Sequence, residues 1–282
     1  MLKHTFCHLS HIGLKREKRL WDKAVLTWED LLTRLPFYGG FNKRLRDDIE
    51  AELNASIFHL EQQNPAYFAD QLPPAQAWRL FPEFREKAAF VDIETTGLYQ
   101  PDITTIALYD GKQIRHYVND INLDDFVSDI RGYDLIITYN GKRFDVPIIE
   151  SFFNITLPHA HIDLRYVLKP IGFSGGLKGC EKKAGIFRGE LDGLDGSFAV
   201  RLWDAYYWHG RIEALHTLLA YNIADVVNLE KLMVIACNHH LETMHAFPVQ
   251  MLPEPPAKPL PFQPDMKIIW ELMRSRQVVS RY

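Results

Sequence analysis

Ala88 to Leu98 reads AAFVDIETTGL. An apolar run, Ala88 to Val91, leads into Asp92-Ile93-Glu94, and Thr95-Thr96-Gly97 then breaks the pattern. The spacing predicts a strand, and its two-residue period sets Asp92 and Glu94 on one face at the C-terminal end. Two neighbouring carboxylates repel unless a cation lies between them, a need that a hard divalent ion with oxygen ligands meets. A strand end whose acids face water is the competing reading, and this segment alone does not choose between them.

The surrounding chain alternates strand and helix patterns. Thr104 to Tyr109 and Ile114 to Val118 read as strands joined across Asp110-Gly111, a hairpin signal. Leu123 to Ile130 reads as a short helix, Asp134 to Tyr139 as a buried strand, and Val146 to Phe153 as a helix whose Pro147 fits its first turn. His161 to Leu164 is one more strand candidate, Lys178 to Ala184 a short helix, and Gly185 to Gly196 a loop. Arg211 to Asn238 carries apolar residues broadly enough for a long helix buried against a sheet.

Upstream the pattern is helical. Lys15 to Lys23 is a charged helix with Leu20 and Trp21 as its apolar face, and Thr27 with Asp30 reads as a capping box opening the next helix. Leu45, Ile49, Leu53 and Ile57 mark one face of a helix over Phe41 to Gln62. The proline-bearing run Asn64 to Phe84 reads as a connector, and a proline-rich arm from Pro248 to Pro264 ends in a short helix from Asp265. The expected organisation is a helical N-terminal domain over 1–84, an α/β domain over 85–245 and an arm over 246–282.

The 282 residues are 47% hydrophobic and 24% charged, a globular balance. No run approaches a membrane span and no signal-peptide core opens the chain, so a cytoplasmic protein without a membrane partner is expected. Cys7, Cys180 and Cys237 are odd in number and widely spaced, which argues against a disulfide framework or a zinc site. The net charge of −4 argues weakly against a nucleic-acid partner, because acids that hold metal enter that sum without their cation.

Two more acidic positions stand out. Asp145, in Tyr139-Asn140-Gly141-Lys142-Arg143-Phe144-Asp145, follows a buried strand at the start of a helix, where an acid can also be a simple cap. Tyr221 and Asp225 lie four residues apart on the long helix, hence on one face. Asp-x-Glu on a strand, Asn-x-x-x-Phe-Asp after a strand and Tyr-x-x-x-Asp on a late helix together resemble the motifs of the DEDD exonuclease superfamily in its tyrosine variant, as in family B polymerase proofreading domains. The chain resembles the bacterial exonucleases of YprB type more closely, through His161-Ile162-Asp163-Leu164 and Gly176-Leu177-Lys178 with Glu181 nearby. The resemblance runs from Ala88 to Met233.

That resemblance implies a ribonuclease H-like mixed five-stranded sheet flanked by helices, two Mg²⁺ or Mn²⁺ ions, and 3′→5′ hydrolysis of nucleic acid. It implies Asp92, Glu94, Asp145 and Asp225 as metal ligands, with Tyr221 completing the catalytic set by orienting the attacking water. Thr95, Thr96, Gly97 and Leu98 are expected to meet the terminal nucleotide, and Asn140, Lys142, Arg143 and Lys178 to reach phosphate or ribose; a solvated loop residue is the alternative for each. Leu9 to Glu17 resembles a helix-hairpin-helix motif in which His11 stands for the first glycine, with Lys15, Arg16, Lys18 and Arg19 as a basic face. Single-stranded DNA is therefore the favoured substrate, with an exoribonuclease or a non-catalytic nucleic-acid-binding module as alternatives; protein partners are not indicated.

Overall fold

The computed structural model describes residues 1–99, 101–244, 246–248 and 250–279, the last five of these by backbone alone. Five strands form one mixed sheet: β1 (Ala88–Thr95), β2 (Ile103–Tyr109), β3 (Ile114–Val118), β4 (Leu135–Thr138) and β5 (Ala160–Asp163). Their order is β3-β2-β1-β4-β5, so β1 is central. It pairs antiparallel with β2 and parallel with β4, and β5 continues parallel beyond β4. The mixed sheet with flanking helices is the expected architecture.

Alternation along β1 divides the core in two. Ala88 and Phe90 join a large apolar cluster with the long helix α11 (Ile212–Glu242), while Ala89, Val91 and Ile93 join a second cluster with Phe126 and Ile130 of α6 (Asp125–Ile130) and Ile149 of α7 (Asp145–Phe153). Asp92 and Glu94 continue the Ala88–Phe90 side, so the strand period aims both carboxylates at the face that α11 covers. The ladder to β4 ends at Phe90, opposite Ile137. Beyond it the edge of β1 facing β4 is open, and a register irregularity between Glu94 and Thr95 interrupts the ladder to β2 before Thr95 pairs with Ile103.

The remaining helices are α1 (Leu14–Asp22), α2 (Trp28–Arg34), α3 (Lys43–Glu61), α4 (Pro65–Ala69), α5 (Phe81–Phe84), α8 (Leu164–Leu168), α9 (Gly176–Lys183), α10 (Gly196–His209) and α12 (Met266–Val279). Thr27 and Asp30 form the expected capping box of α2. Residues 64–84 are not a loose connector. Pro65, Pro74 and Pro82 sit in the first turns of α4, of a 3-10 turn over Pro74–Leu80 and of α5, where a missing N–H costs no bond. Trp78, Leu80, Phe81 and Phe84 of this stretch are buried in the large cluster.

Helix α10 has no counterpart in the sequence reading. Asp195 caps it by accepting from the Phe198 N–H at 3.1 Å, and left-handed Gly210 closes it. The proline-rich arm runs back over α11: Leu252 and Asn238 exchange hydrogen bonds of 2.8 and 2.9 Å, and Lys231 meets Glu254 at 2.9 Å. All three cysteines are buried and free. Among the described residues no helix is long and apolar enough to cross a membrane.

Candidate metal centre

The open edge of β1 is where the acids gather. Asp92, Glu94 and Asp225 bring carboxylate oxygens within 4.8 Å of one another. Asp92 and Glu94 arrive on β1, and Asp225 comes from the buried face of α11. One polar bridge sets the register of helix on sheet: Thr105 of β2 donates to Asn222 Oδ1 at 3.0 Å, and Asn222 Nδ2 donates to Asp92 Oδ2 at 2.8 Å. Buried Asn222 thereby fixes the Asp92 carboxylate and aligns Tyr221 and Asp225 on the adjoining positions of the helix.

Asp145 approaches from the other side. Its Oδ1 accepts the Ile93 N–H at 3.2 Å, a donor that the ended β4 ladder leaves free. Asp145 thus closes the edge of β1, and it lies outside the three-carboxylate group. It is still close enough to act on it. Asp92 is held well above the ordinary carboxylate range, first by removal from water and then by the charges of Asp145 and Glu94. Burial likewise pushes Glu94 up to about 8, with Asp145 adding to the effect, and Asp145 itself up to about 7. Asp92 and Glu94 keep an accessible edge, but the protein packed around them leaves too little water to solvate two charges.

Two cations answer the acids. Lys178 Nζ donates to Asp225 Oδ1 at 2.5 Å and stands 4.4 Å from the Tyr221 ring centroid. Arg188 donates to the same oxygen, and its guanidinium carbon lies 5.0 Å from the Tyr221 centroid on its own path to Asp225. Tyr221 is buried, and its phenol is pushed above its ordinary value, chiefly by desolvation.

Asp92 and Asp225 open on a cleft of about 660 Å³ whose walls also include Asn140, Arg165, Lys169, Lys178 and Tyr221. Gly175, Gly176 and Leu177 at the start of α9 form another wall, so first-turn N–H groups without intrahelical partners lie along it. Asp163, at the end of β5, shapes the facing turn by accepting the N–H groups of Asn140 at 2.8 Å, Lys142 at 3.2 Å and Arg165 at 3.0 Å.

The remaining expected contacts divide by position. Asn140 and Lys178 line the cleft, whereas Lys142 and Arg143 are exposed on the turn outside its lining. Thr95 is buried with its hydroxyl on the Gly97 carbonyl at 2.9 Å, and Thr96 Oγ1 accepts the Asp102 N–H at 3.1 Å. Leu98 is 89% exposed on the adjoining turn. Arg188, Asn222, Arg165 and Lys169 are site residues that sequence reasoning did not single out. Asn222 sits inside the quoted Tyr221–Asp225 motif, but its role depends on Thr105 and Asp92, more than a hundred residues away in the chain.

A family model for the RNase H superfamily matches residues 89–237. The chain belongs to the RNase H superfamily. The matched segment holds all of the sheet but Ala88, together with the α11 residues up to Cys237. No curated protein matches the chain. Five chains of solved structures do, among them the family B DNA polymerase of the hyperthermophilic archaeon Pyrobaculum calidifontis. That polymerase is 15% identical over 55% of this chain and 24% of its own, with a TM-score of 0.41.

Proposed function

We propose that this superfamily member is a metal-dependent 3′→5′ exonuclease of the DEDD class in its tyrosine variant, near the YprB type, acting on single-stranded DNA. The observation that carries the reading is the convergence of Asp92, Glu94 and Asp225 within 4.8 Å, with Tyr221 one helical turn before Asp225. The donor set suits Mg²⁺ or Mn²⁺: all oxygen, all carboxylate, and crowded enough that burial and mutual charge raise both Asp92 and Glu94 above the ordinary carboxylate range. Held by Asp92, Glu94 and Asp225 with Asp145 in support, a pair of such ions would supply a nucleophilic water at neutral pH and charge relief at the leaving 3′ oxygen.

The chain's own groups do the rest. Asn222 holds the Asp92 carboxylate in one orientation through Oδ2. Asp145 accepts the Ile93 N–H near the end of β1, adds negative charge beside Asp92 and Glu94, and would support the second ion. Tyr221 retains its proton, so its phenol serves to orient a water or phosphate oxygen and not to remove a proton. Lys178, Lys169 and Arg165 give the cleft the positive lining that a phosphodiester backbone requires.

We assign residues 1–84 to substrate grip, residues 85–245 to catalysis and 246–282 to an arm. His11 takes a φ of 65°, a left-handed conformation open to a tight turn, and Gly13 stands at the N-terminus of α1. Lys15, Arg16, Lys18 and Arg19 are exposed along that helix. Lys15→Glu with Arg16→Glu is expected to weaken DNA binding and reduce its salt slope, with hydrolysis of short oligonucleotides retained; an unchanged slope removes this part of the reading.

The decisive assay uses end-labelled DNA and RNA strands, single and double, with Mg²⁺, Mn²⁺ or chelator. Mononucleotide release from the 3′ end is expected, lost roughly 10³-fold or more in Asp92→Ala and Asp225→Ala because several kcal/mol of charge stabilisation depend on the site. Preference for RNA would reassign the substrate. Activity that survives in both variants would sink the assignment.

A further inference from the structure

Arg188 is a charged side chain with 4% of its surface exposed, fixed between two carboxylates. On one side it donates to Asp225 Oδ1. On the other its Nε lies 3.7 Å from Glu181 Oε1, beyond a good hydrogen bond. Both partners have unspent capacity: Nε and Nη1 of Arg188 and Oε2 of Glu181 are buried without a hydrogen-bond partner. Glu181 is 1% exposed and is steadied by Asn228, which donates to its Oε1 at 2.8 Å. A buried ionic pair left this loose is costly, so the arrangement calls for a second state in which the bonds close.

We propose that Arg188 is a built-in counter-cation: it holds Asp225 until a divalent metal takes that carboxylate, and then moves onto Glu181. This rests on the reading of Asp92, Glu94 and Asp225 as a divalent-cation site. Closing the Arg188–Glu181 gap takes a shift of about an ångström. Lys178, the other cation on Asp225, has no need of such a receiver. Its side chain is 36% exposed and lines the open cleft, so it can turn to solvent or to phosphate. Arg188 has no water to retreat to, and an unpaired buried guanidinium would oppose metal binding. Glu181 removes that opposition. Arg188 is therefore a positioning residue that sets metal affinity, and its contact with the Tyr221 carbonyl at 3.4 Å ties the exchange to the helix carrying Tyr221 and Asp225.

The test is calorimetric titration of Mn²⁺ into the metal-free full chain, as wild type, Arg188→Gln, Glu181→Gln and the double variant, with Asp92→Ala as control. Arg188→Gln is expected to tighten binding about tenfold, within the usual range of coupling between two sites, and Glu181→Gln to weaken it by a similar factor. In the Arg188→Gln background, Glu181→Gln is expected to change affinity by less than about twofold, the non-additivity that identifies a coupled pair. Strict additivity, or Arg188→Gln that binds no tighter than wild type, would overturn the proposal. Arg188→Lys retains charge but lacks the second arm, so it serves if the glutamine variant does not fold: intermediate tightening supports the exchange, and wild-type affinity opposes it. Wild type that binds no Mn²⁺, or binds it as well as Asp92→Ala does, would fail the metal-site reading itself.

Discussion

Asp92, Glu94 and Asp145 make the metal-free site sensitive to pH. An acid whose pKa is raised in the folded state still holds its proton where the unfolded chain has lost it. Folding stability then falls as pH rises from the unfolded carboxylate value, about 4, through the folded one. For Asp145 and Glu94 the folded values are about 7 and about 8. His8 and His161, pushed down to about 3 by burial, act with the opposite sign, but their contribution is complete above the ordinary histidine value of 6.5. The carboxylates are therefore isolated from about pH 6.5 to 8. The metal-free protein is expected to lose melting temperature across that window. Saturating Mg²⁺ should suppress the loss, and Asp92→Asn with Glu94→Gln should reduce it to the part that Asp145 contributes below about pH 7. A melting temperature that is level without metal would show that the acids are not held protonated.

The site is positioned by short elements with close tolerances. Gly141, on the turn between β4 and α7, donates its N–H to Thr138 Oγ1 at 3.1 Å, and a Cβ there would stand 2.3 Å from that oxygen and 2.5 Å from Thr138 Cβ. Gly141→Ala therefore forces the turn away from β4 and is expected to cost about 1–3 kcal/mol of stability, read by urea denaturation. Asn140 and Asp145 move with that turn, so nuclease activity should fall with it. The hairpin of β2 and β3 and the long α11 were legible because their signals are local: Asp110-Gly111, strand alternation and helical periodicity. Helix α10 carried its own signals, Asp195 as cap, Gly210 as terminator and apolar Phe198, Ala199, Leu202 and Trp203, yet it was hidden by the glycine- and aspartate-rich loop before it. Residues 64–84 misled for a different reason. Proline breaks a helix in its interior and is harmless in the first turn, and only the fold says which place each proline occupies.

At the scale of the molecule, one apolar cluster runs without a break from Leu2 and Trp28 through Trp78 to Phe90 and α11. A buried ion pair fastens α1 to the middle of that cluster, beside Trp78. Glu17 of α1 takes Arg79 through two bonds of 2.8 and 2.9 Å and also accepts the N–H groups of Phe6 and Cys7. The apolar cluster thus crosses the functional division proposed near residue 84, and a single folding unit is expected. Arg79→Met leaves the Glu17 carboxylate buried without its cation and is expected to cost about 3–5 kcal/mol. Tryptophan fluorescence and circular dichroism should still follow one common transition. Separate transitions for the two signals would show that the N-terminal helices fold on their own.

By itself the sequence determined the strands, the acidic strand end, the helical face of Tyr221 and Asp225, and the order in which the motifs occur, because each depends on periodicity within about a dozen residues. What only the tertiary structure decided is who meets whom. The ladder to β4 stops at Phe90, and Asp145 accepts the Ile93 N–H beyond it, beside Asp92 and Glu94. Asn222 finds Asp92 across the sheet, and Arg188, from a loop with no local signal, comes to rest on Asp225. Such contacts depend on strand order and on the packing of one helix over one sheet face, which no spacing along the chain encodes.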